Sequence, residues 1–386
     1  MASTNASKTQ VKPFSINIPQ VVLDDLQERL KRTRWPDEVD GAGWTMGTRM
    51  GYMKELVTFW QNEYDWRKHE AALNQFHHFT AEIDGVNVHF IHERGKGPNP
   101  IPILLIHGWP DSFYRYHKVI SMLTDPAQYG GDPSHSFDVI VPSIPGTGFS
   151  DRTVLDDEAN ADLFAKLMTD VLGYEKFISA GGDHGALITL PLAHRHPQLL
   201  LGIHVTDVGY PDGNTDFSSL TPPEMEMVNW VQQWFMAEGA YNMIQATKPQ
   251  TLAFALNDSP AGLAAWIISC SSSGQKGNEE FETRFSMDEL LTNIMIYWVT
   301  QTIGSSMRGY LVAARTPSTT NPAEKPSVPA GVAHCPYDPP LPRAWAERKV
   351  NVVHFTDLER GGHFVAWEAP ELYANDVQDF ARQLLK

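Results

Sequence analysis

One pentapeptide, Gly181-Gly182-Asp183-His184-Gly185, constrains the fold more than any other feature of the chain. It follows the apolar run Phe177-Ile178-Ser179-Ala180 and precedes a helix-like stretch, Ala186 to Leu190. Strand, glycine-flanked tight turn and helix make up the setting of a G-x-S-x-G nucleophile elbow. Glycine suits both sides of such a turn, because without a Cβ it tolerates strained backbone and lets a neighbouring strand come close. Here an aspartate occupies the tip. A serine would attack acyl groups, whereas a carboxylate is suited to attacking a saturated carbon and forming an alkyl ester. Taken alone, the five residues also fit a glycine-rich turn carrying a solvated aspartate, so the rest of the chain has to decide.

The flanking sequence sets an α/β architecture. Apolar runs at Ile101 to Ile106, Phe137 to Val141, Phe177 to Ala180 and Leu199 to Val205 predict buried strands. Helical stretches near Tyr116 to Leu123 and Ala159 to Leu172 lie between them, so the sheet is expected to be mainly parallel and covered on both faces. Upstream, Phe14 to Pro19 alternates as an extended segment. Val21 to Arg34 has helical spacing at Val22, Leu26 and Leu30, with Pro36 as the stop. A second amphipathic helix near Gly51 to Glu63 turns Met53, Leu56, Val57 and Trp60 inward. The alternating runs Phe79 to Ile83 and Val86 to Ile91 flank Asp84-Gly85, a hairpin signal. From about Pro211 to about Arg315 the chain is Met- and Trp-rich helix, and strand signals return at Val328 to Ala333 and Val350 to Phe355. A helical block interrupting a sheet reads as a lid over the carboxyl ends of the strands, where open α/β sheets bind ligands. The expected division is a tail and meander over 1–95, core over 96–210, lid over 211–320 and core again over 321–386.

Composition removes other classes of function. With 30 basic against 46 acidic residues the net charge is −16, and no basic run is dense enough to follow phosphates. Nucleic acid and anionic membrane surfaces are therefore poor partners. Cys270 and Cys335 form no motif and no disulfide framework, which fits a reducing compartment. The polar stretch Met1 to Lys12 lacks the apolar core of a signal peptide, and no apolar run reaches the ~18 residues of a membrane span. The expectation is a soluble, cytoplasmic protein.

An aspartate nucleophile requires a base to activate water and an acid to orient that base, in the chain order nucleophile, acid, histidine. His363, in Arg360-Gly361-Gly362-His363-Phe364, follows the last predicted strand and precedes the last helix. Asp338, in Cys335-Pro336-Tyr337-Asp338, follows the preceding strand and is the favoured acid. Asp357 and Glu359 in the His363 loop, and Asp207 after the Leu199 to Val205 strand, are the alternatives. The turn His107-Gly108-Trp109-Pro110 offers the Trp109 N–H, which with the His184 N–H would bind an oxyanion. Its Gly-X-Pro form invites a cis proline. His107 reads as structural.

These segments together resemble a family. The turn at His107 to Pro110, the elbow at Gly181 to Gly185, Pro336-Tyr337-Asp338 and Gly361-Gly362-His363 look like the α/β-hydrolase-fold epoxide hydrolases. They are most similar to the microsomal type with an N-terminal meander. The resemblance runs from about Pro13 nearly to the end. It takes in Phe14 to Pro19, Tyr64 to Arg67, Thr247 to Pro249, Asn257 to Pro260 and Leu290 to Asn293. It implies that two lid tyrosines, matched here by Tyr241 and Tyr310, donate hydrogen bonds to the epoxide oxygen. A neutral phenol of pKa ~10 suits that task, since it stabilises a developing alkoxide without protonating the nearby carboxylate. Tyr297, in an apolar helix beside Trp298, reads as core. The chain departs from the family in placing His184 after the nucleophile, where relatives often carry Trp or another apolar residue. It also begins almost at the meander, so the relatives' membrane anchor is not carried over.

The implied activity is conversion of a small, mainly apolar epoxide and water to a vicinal diol, through an ester on Asp183, with no cofactor and no metal. The Met- and Trp-rich lid argues for the apolar substrate. A haloalkane or haloacid dehalogenase shares the aspartate chemistry but needs halide donors. A biosynthetic cyclase of the same fold would open the epoxide with an internal hydroxyl, and a non-catalytic binding protein would have no reason to keep the whole set. A homodimer is left open.

Overall fold

The computed structural model describes residues 10–212, 215–272, 281–320 and 324–385. The tail expected before about residue 12 falls largely outside the described residues, as does part of the loop expected between Thr316 and Pro329. One sheet of nine strands organises the molecule: β1 (Lys12–Phe14), β2 (His78–Ile83), β3 (Val86–Glu93), β4 (Ile101–Ile106), β5 (Phe137–Pro142), β6 (Phe177–Gly181), β7 (Leu200–Val205), β8 (Pro329–His334) and β9 (Asn351–Asp357). Their spatial order is β1-β2-β3-β5-β4-β6-β7-β8-β9. Pairing is antiparallel from β1 through β3 to β5 and parallel from β5 to β9. The antiparallel edge follows from the Asp84-Gly85 turn, whose φ values of 51° and 80° are those of a tight hairpin matched to strand twist.

Ahead of the hairpin lie α1 (Gln20–Lys31), α2 (Met50–Asn62) and α3 (Trp66–Leu73). The first ends before the position set by Pro36: past Lys31 the Arg32 and Thr33 N–H groups bond three residues back, to the Arg29 and Leu30 carbonyls. Ile16 and Ile18 are buried in alternation as expected, but the segment after β1 joins no ladder. Its N–H groups donate instead to side chains of α3 and its cap, Ile16 N to Asn74 Oδ1 and Ile18 N to Glu70 Oε1. That helix is short and mostly polar, and nothing in its spacing announced it.

Two layers of helix cover the parallel strands. On β4, Leu104 and Ile106 join one core with the inner faces of α5 (Asp157–Lys166) and α6 (His184–Arg195). Ile103 and Leu105 join the other with α4 (Val119–Thr124) and, near the C-terminus, Val377 and Phe380. The helix expected over Ala159 to Leu172 starts earlier, where the Asp156 carboxylate caps the Ala159 N–H, and changes to a wider π turn at Leu167–Val171. The one expected over Tyr116 to Leu123 is a 3-10 turn, Phe113–Tyr116, followed by α4.

Between β7 and β8 run α7 (Pro222–Glu238), α8 (Ala240–Thr247), α9 (Pro249–Leu256), α10 (Pro260–Ser272), α11 (Phe281–Arg284), α12 (Met287–Thr300) and α13 (Ile303–Arg315). They are pinned to the turn after β4: the Asn293 amide donates to the Pro110 carbonyl, and the Trp109 indole N–H to Ser306 Oγ. The chain finishes through α14 (Arg343–Lys349), α15 (Val365–Glu368) and α16 (Pro370–Leu384).

β4 lies between β5 and β6, so the connections that leave β4, to β5, and β6, to β7, run in opposite directions across the sheet. That reversal opens a crevice at the carboxyl ends of β4 and β6. The start of α6 comes up against the end of β4 there because Gly185 has no side chain. A Cβ at that position would collide with the Ile106 carbonyl oxygen. Gly185→Ala should therefore destabilise the protein by about 1–3 kcal/mol, the usual cost of forcing atoms into a packed interior. Urea unfolding checks this, and an unchanged midpoint would contradict it.

Candidate active site

The elbow sits at that crevice. β6 ends at Gly181, α6 begins at His184, and Asp183 between them adopts φ 57° and ψ −133°. Such a conformation costs a residue with a Cβ ~1–3 kcal/mol and persists only where its surroundings impose it. Here they do. The Asp183 N–H donates to Asp207 Oδ2 at 2.9 Å, and the Asp183 carbonyl accepts the first N–H groups of α6, from Ala186 and Leu187. The turn after β4 packs against the side chain so tightly that a Cβ on Gly108 would overlap the Asp183 carboxylate.

Asp183 Oδ1 accepts the Trp109 N–H at 2.8 Å. Oδ2 faces His363 Nε2 at 3.1 Å. On the far side of the imidazole, Nδ1 meets Asp338 Oδ1 at 3.2 Å and Oδ2 at 3.3 Å. Burial disfavours charge on Asp183, but His363 and His184 outweigh it and hold the carboxyl well below its ordinary range. Burial likewise opposes an imidazolium at His363. The carboxylates of Asp338 and Asp183 overcome that and push its pKa well above the ordinary value. The stable arrangement is an imidazolium between two carboxylates.

The alternative acids lie elsewhere. Asp357 is exposed and pairs with His334 Nδ1 at 2.8 Å, and Glu359 is exposed in the loop. Asp207 is buried beneath the elbow, with Oδ2 on the Asp183 N–H and Oδ1 on the Gly209 N–H at 3.3 Å. Burial raises its pKa to about 6; nearby His363 opposes the rise, while Asp183 and Asp338 add to it. Its place is under the backbone of the turn, not against the imidazole. His107 is structural as expected: Nδ1 donates to the Gly108 carbonyl and Nε2 accepts the Ile144 N–H. The Trp109-Pro110 peptide is cis.

Tyr241 on α8 and Tyr310 on α13 line the same cavity as the carboxylate and pack against Trp109. The Tyr241 ring stacks on the Trp109 indole at 5.8 Å, and the Tyr310 ring meets it edge-on at 5.7 Å. The two tyrosine rings are 6.2 Å apart and meet edge-on. Burial, with the Asp183 charge, raises both phenol pKa values, so both groups remain neutral donors. Tyr297 is core, its hydroxyl donating to the Asp111 carbonyl. The His184 ring stacks on Tyr310 at 5.4 Å, so the residue after the nucleophile forms part of the wall.

These groups border a cavity of about 450 Å³ whose remaining wall is largely apolar, with Leu187, Trp230, Val231, Trp234 and Phe235. Two features escaped sequence reasoning. Tyr210, just past β7, lines the cavity, and only its distance from that strand's end signals it. Arg115 is fully buried, donating to Asp111 Oδ2 at 2.6 Å and to the His363 carbonyl at 2.6 Å. It ties the turn after β4 to the histidine loop, and no motif marks a buried arginine. Among the described residues, no group of three or more His, Cys, Asp or Glu is placed to hold a metal ion, and no helix is long and apolar enough to cross a membrane.

Comparison with known proteins shows the family and the fold. Residues 11–116 match the family model described as the epoxide hydrolase N terminus, and residues 101–297 match the alpha/beta hydrolase fold. The chain is 35% identical to epoxide hydrolase 1 of Sus scrofa, over 97% of this chain and 89% of the relative. Among solved structures, juvenile hormone epoxide hydrolase from the silkworm Bombyx mori superposes with a TM-score of 0.84 at 30% identity, covering 97% of this chain and 94% of that one. The Aspergillus niger epoxide hydrolase superposes with a TM-score of 0.84 at 26% identity, covering 98% and 97%.

The flanking carboxylates make a prediction about His363 that needs no substrate. Its pKa, followed by NMR, should lie above the ordinary ~6.5 and fall by a unit or more in Asp338→Asn, which removes one neighbouring charge. Asp357→Asn should leave it where it was. A His363 pKa that follows Asp357 would place the acid in the loop instead.

Proposed function

Since this chain belongs to the α/β-hydrolase-fold epoxide hydrolases with an N-terminal meander, and hydrolyses an epoxide to a vicinal diol, we propose that it does so through a covalent ester on Asp183. The observation that carries this reading is the setting of the Asp183 carboxylate, fixed by the Trp109 N–H and His363 Nε2 in a cavity that Tyr241 and Tyr310 also line.

In the first step Asp183 Oδ2 attacks an epoxide carbon while Oδ1 stays on the Trp109 N–H. The C–O bond to the ring oxygen breaks as the Tyr241 and Tyr310 hydroxyls donate to that oxygen. The oxygen stays bonded to the neighbouring carbon and becomes a hydroxyl, and the proton it gains is balanced by the one that the imidazolium of His363 gives up. Esterification removes the charge of Asp183, and with it one of the two charges that kept His363 protonated. The imidazole is then neutral and able to act as a base. In the second step it takes a proton from water as the water oxygen attacks the Asp183 carbonyl carbon. The Trp109 and His184 N–H groups hold the resulting oxyanion, and Asp338 stabilises the imidazolium that forms again. Collapse releases the diol and restores the starting charges. The mainly apolar wall suits an epoxide with an apolar body.

Intact-protein mass spectrometry tests the division of labour. Asp183→Ala should form no adduct with an epoxide, whereas His363→Gln should accumulate one. Tyr241→Phe and Tyr310→Phe should each slow adduct formation ~10²–10³-fold, the usual loss for a charge-stabilising donor. An adduct in Asp183→Ala, or its absence in His363→Gln, would overturn the assignment.

The pH dependence follows with its sign. Asp183 stays ionised far below its ordinary pKa, so adduct formation should persist on acidification. Ester hydrolysis requires neutral His363 and should slow as pH falls, so the steady-state adduct should rise between pH ~8 and ~5 in rapid-quench samples. A constant or falling adduct level over that range would contradict the base assignment.

A further inference from the structure

We propose that the His184 side chain is a positioning residue for the epoxide-opening step, holding the Tyr310 phenol in register with the Asp183 carboxylate. The inference rests on the ester mechanism proposed above and gives a task to a side chain that the mechanism leaves idle.

The two groups that must meet at the epoxide ring belong to different layers of the molecule. Asp183 stands on the elbow between β6 and α6, and Tyr310 on α13, one of the helices inserted between β7 and β8. α13 packs mainly on its neighbours α8 and α9. The core holds its first turn by hydrogen bonds. Ser305 Oγ donates to the Gly146 carbonyl at 2.6 Å, and the Trp109 indole N–H donates to Ser306 Oγ at 3.1 Å. One turn farther on, the elbow supplies the contact itself. The His184 ring stacks on the Tyr310 phenol with centroids 5.4 Å apart and planes at 21°. It also lies close against the helix backbone, since a Cβ on Gly309 would come within 3.3 Å of His184 Cε1.

His184 follows Asp183 directly and opens α6, so its ring is carried by the same turn as the nucleophile. Three rings pack on Tyr310. Those of Trp109 and Tyr241 cross it at 82° and 78°, and His184 alone lies nearly parallel to it. A parallel neighbour limits the swing of a phenol out of its own plane. The consequence is selective. Tyr310 donates to the epoxide oxygen only while the ring opens. Ester hydrolysis uses the Trp109 and His184 N–H groups, His363 and Asp338, and a change of the His184 side chain leaves its backbone N–H in place. The side chain should therefore matter for forming the ester and not for breaking it.

Rapid-quench mass spectrometry with styrene oxide separates the two steps. In a His363→Gln background, where the adduct accumulates, His184→Ala should slow its formation ~10-fold, the scale set by one aromatic contact on a group whose placement controls the rate. With His363 present, the adduct should decay at the native rate. His184→Phe keeps a flat ring and should recover most of the loss, whereas His184→Leu fills the space without one and should not. Should His184→Ala fail to fold, the comparison of Leu with Phe carries the same test. A double-mutant cycle ties the effect to the phenol. Tyr310→Phe keeps the ring but loses the hydroxyl, so adding His184→Ala to it should slow adduct formation less than about twofold further. Adduct formation at the native rate in His184→Ala, equal slowing of formation and decay, rescue by Leu, or a full further loss in Tyr310→Phe would each overturn the proposal. The two readings fail differently: no adduct in His363→Gln sinks the ester mechanism, whereas an adduct that forms equally fast in every His184 variant sinks only the positioning role.

Discussion

A carboxylate on the floor of an apolar cavity is unstable as an ion unless the protein supplies the compensation that water would have given. At Asp183 that compensation comes from elements far apart in the chain. The Trp109 N–H arrives from the turn after β4 and the imidazole of His363 from the loop after β9. Each donor needs its own support. Asp111 accepts the Gly108 N–H and is paired in turn with Arg115, which also holds the His363 carbonyl. Asp338 carries the other face of the imidazole. The sheet brings these pieces together because β4 and β6 are neighbours at the point where the strand order reverses. The arrangement of the core can be understood as the means of keeping one buried charge both ionised and accessible.

The same charge links the two proposed half-reactions. While Asp183 is an anion it keeps His363 protonated, and a protonated imidazole cannot activate water. Esterification cancels the anion, and the histidine becomes a base at the moment a base is required. The tyrosines stand on the other side of this exchange. Burial together with the nearby anion keeps their phenols neutral, so they can donate to a developing alkoxide. Their backbone belongs to helices inserted between β7 and β8, held to the core through Asn293 and Ser306.

Much of this was legible in the sequence, and what was not has physical causes. The elbow, the hairpin and the turn at Trp109-Pro110 are local, because glycine, proline and Asp-Gly mark the backbone conformations they need, wherever they occur. Chain order and strand ends then sufficed to single out His363. The acid was harder. Asp338, Asp357, Glu359 and Asp207 all follow strands or sit in the right loop, and only tertiary structure shows that Asp338 meets the imidazole while Asp207 lies under the elbow. Arg115 carries no sequence signal at all, since a buried guanidinium is recognisable only by its partners. The helix Trp66–Leu73 was missed because its short, mostly polar pattern lacks an apolar stripe, although Glu70 on it receives the Ile18 N–H at 2.7 Å. Tyr241 and Tyr310 were identified through the family resemblance, and the pattern of the lid alone does not single them out.

The central claim is that a protein oxygen, not a water molecule, opens the epoxide, and isotope labelling tests it most directly. In a single turnover with excess enzyme in ¹⁸O-labelled water, the first diol should carry no label. Its new oxygen would come from Asp183, and the label should appear in the peptide that contains Asp183. A labelled first-turnover diol together with an unlabelled Asp183 peptide would mean that water attacks the epoxide itself, and the covalent account would be wrong.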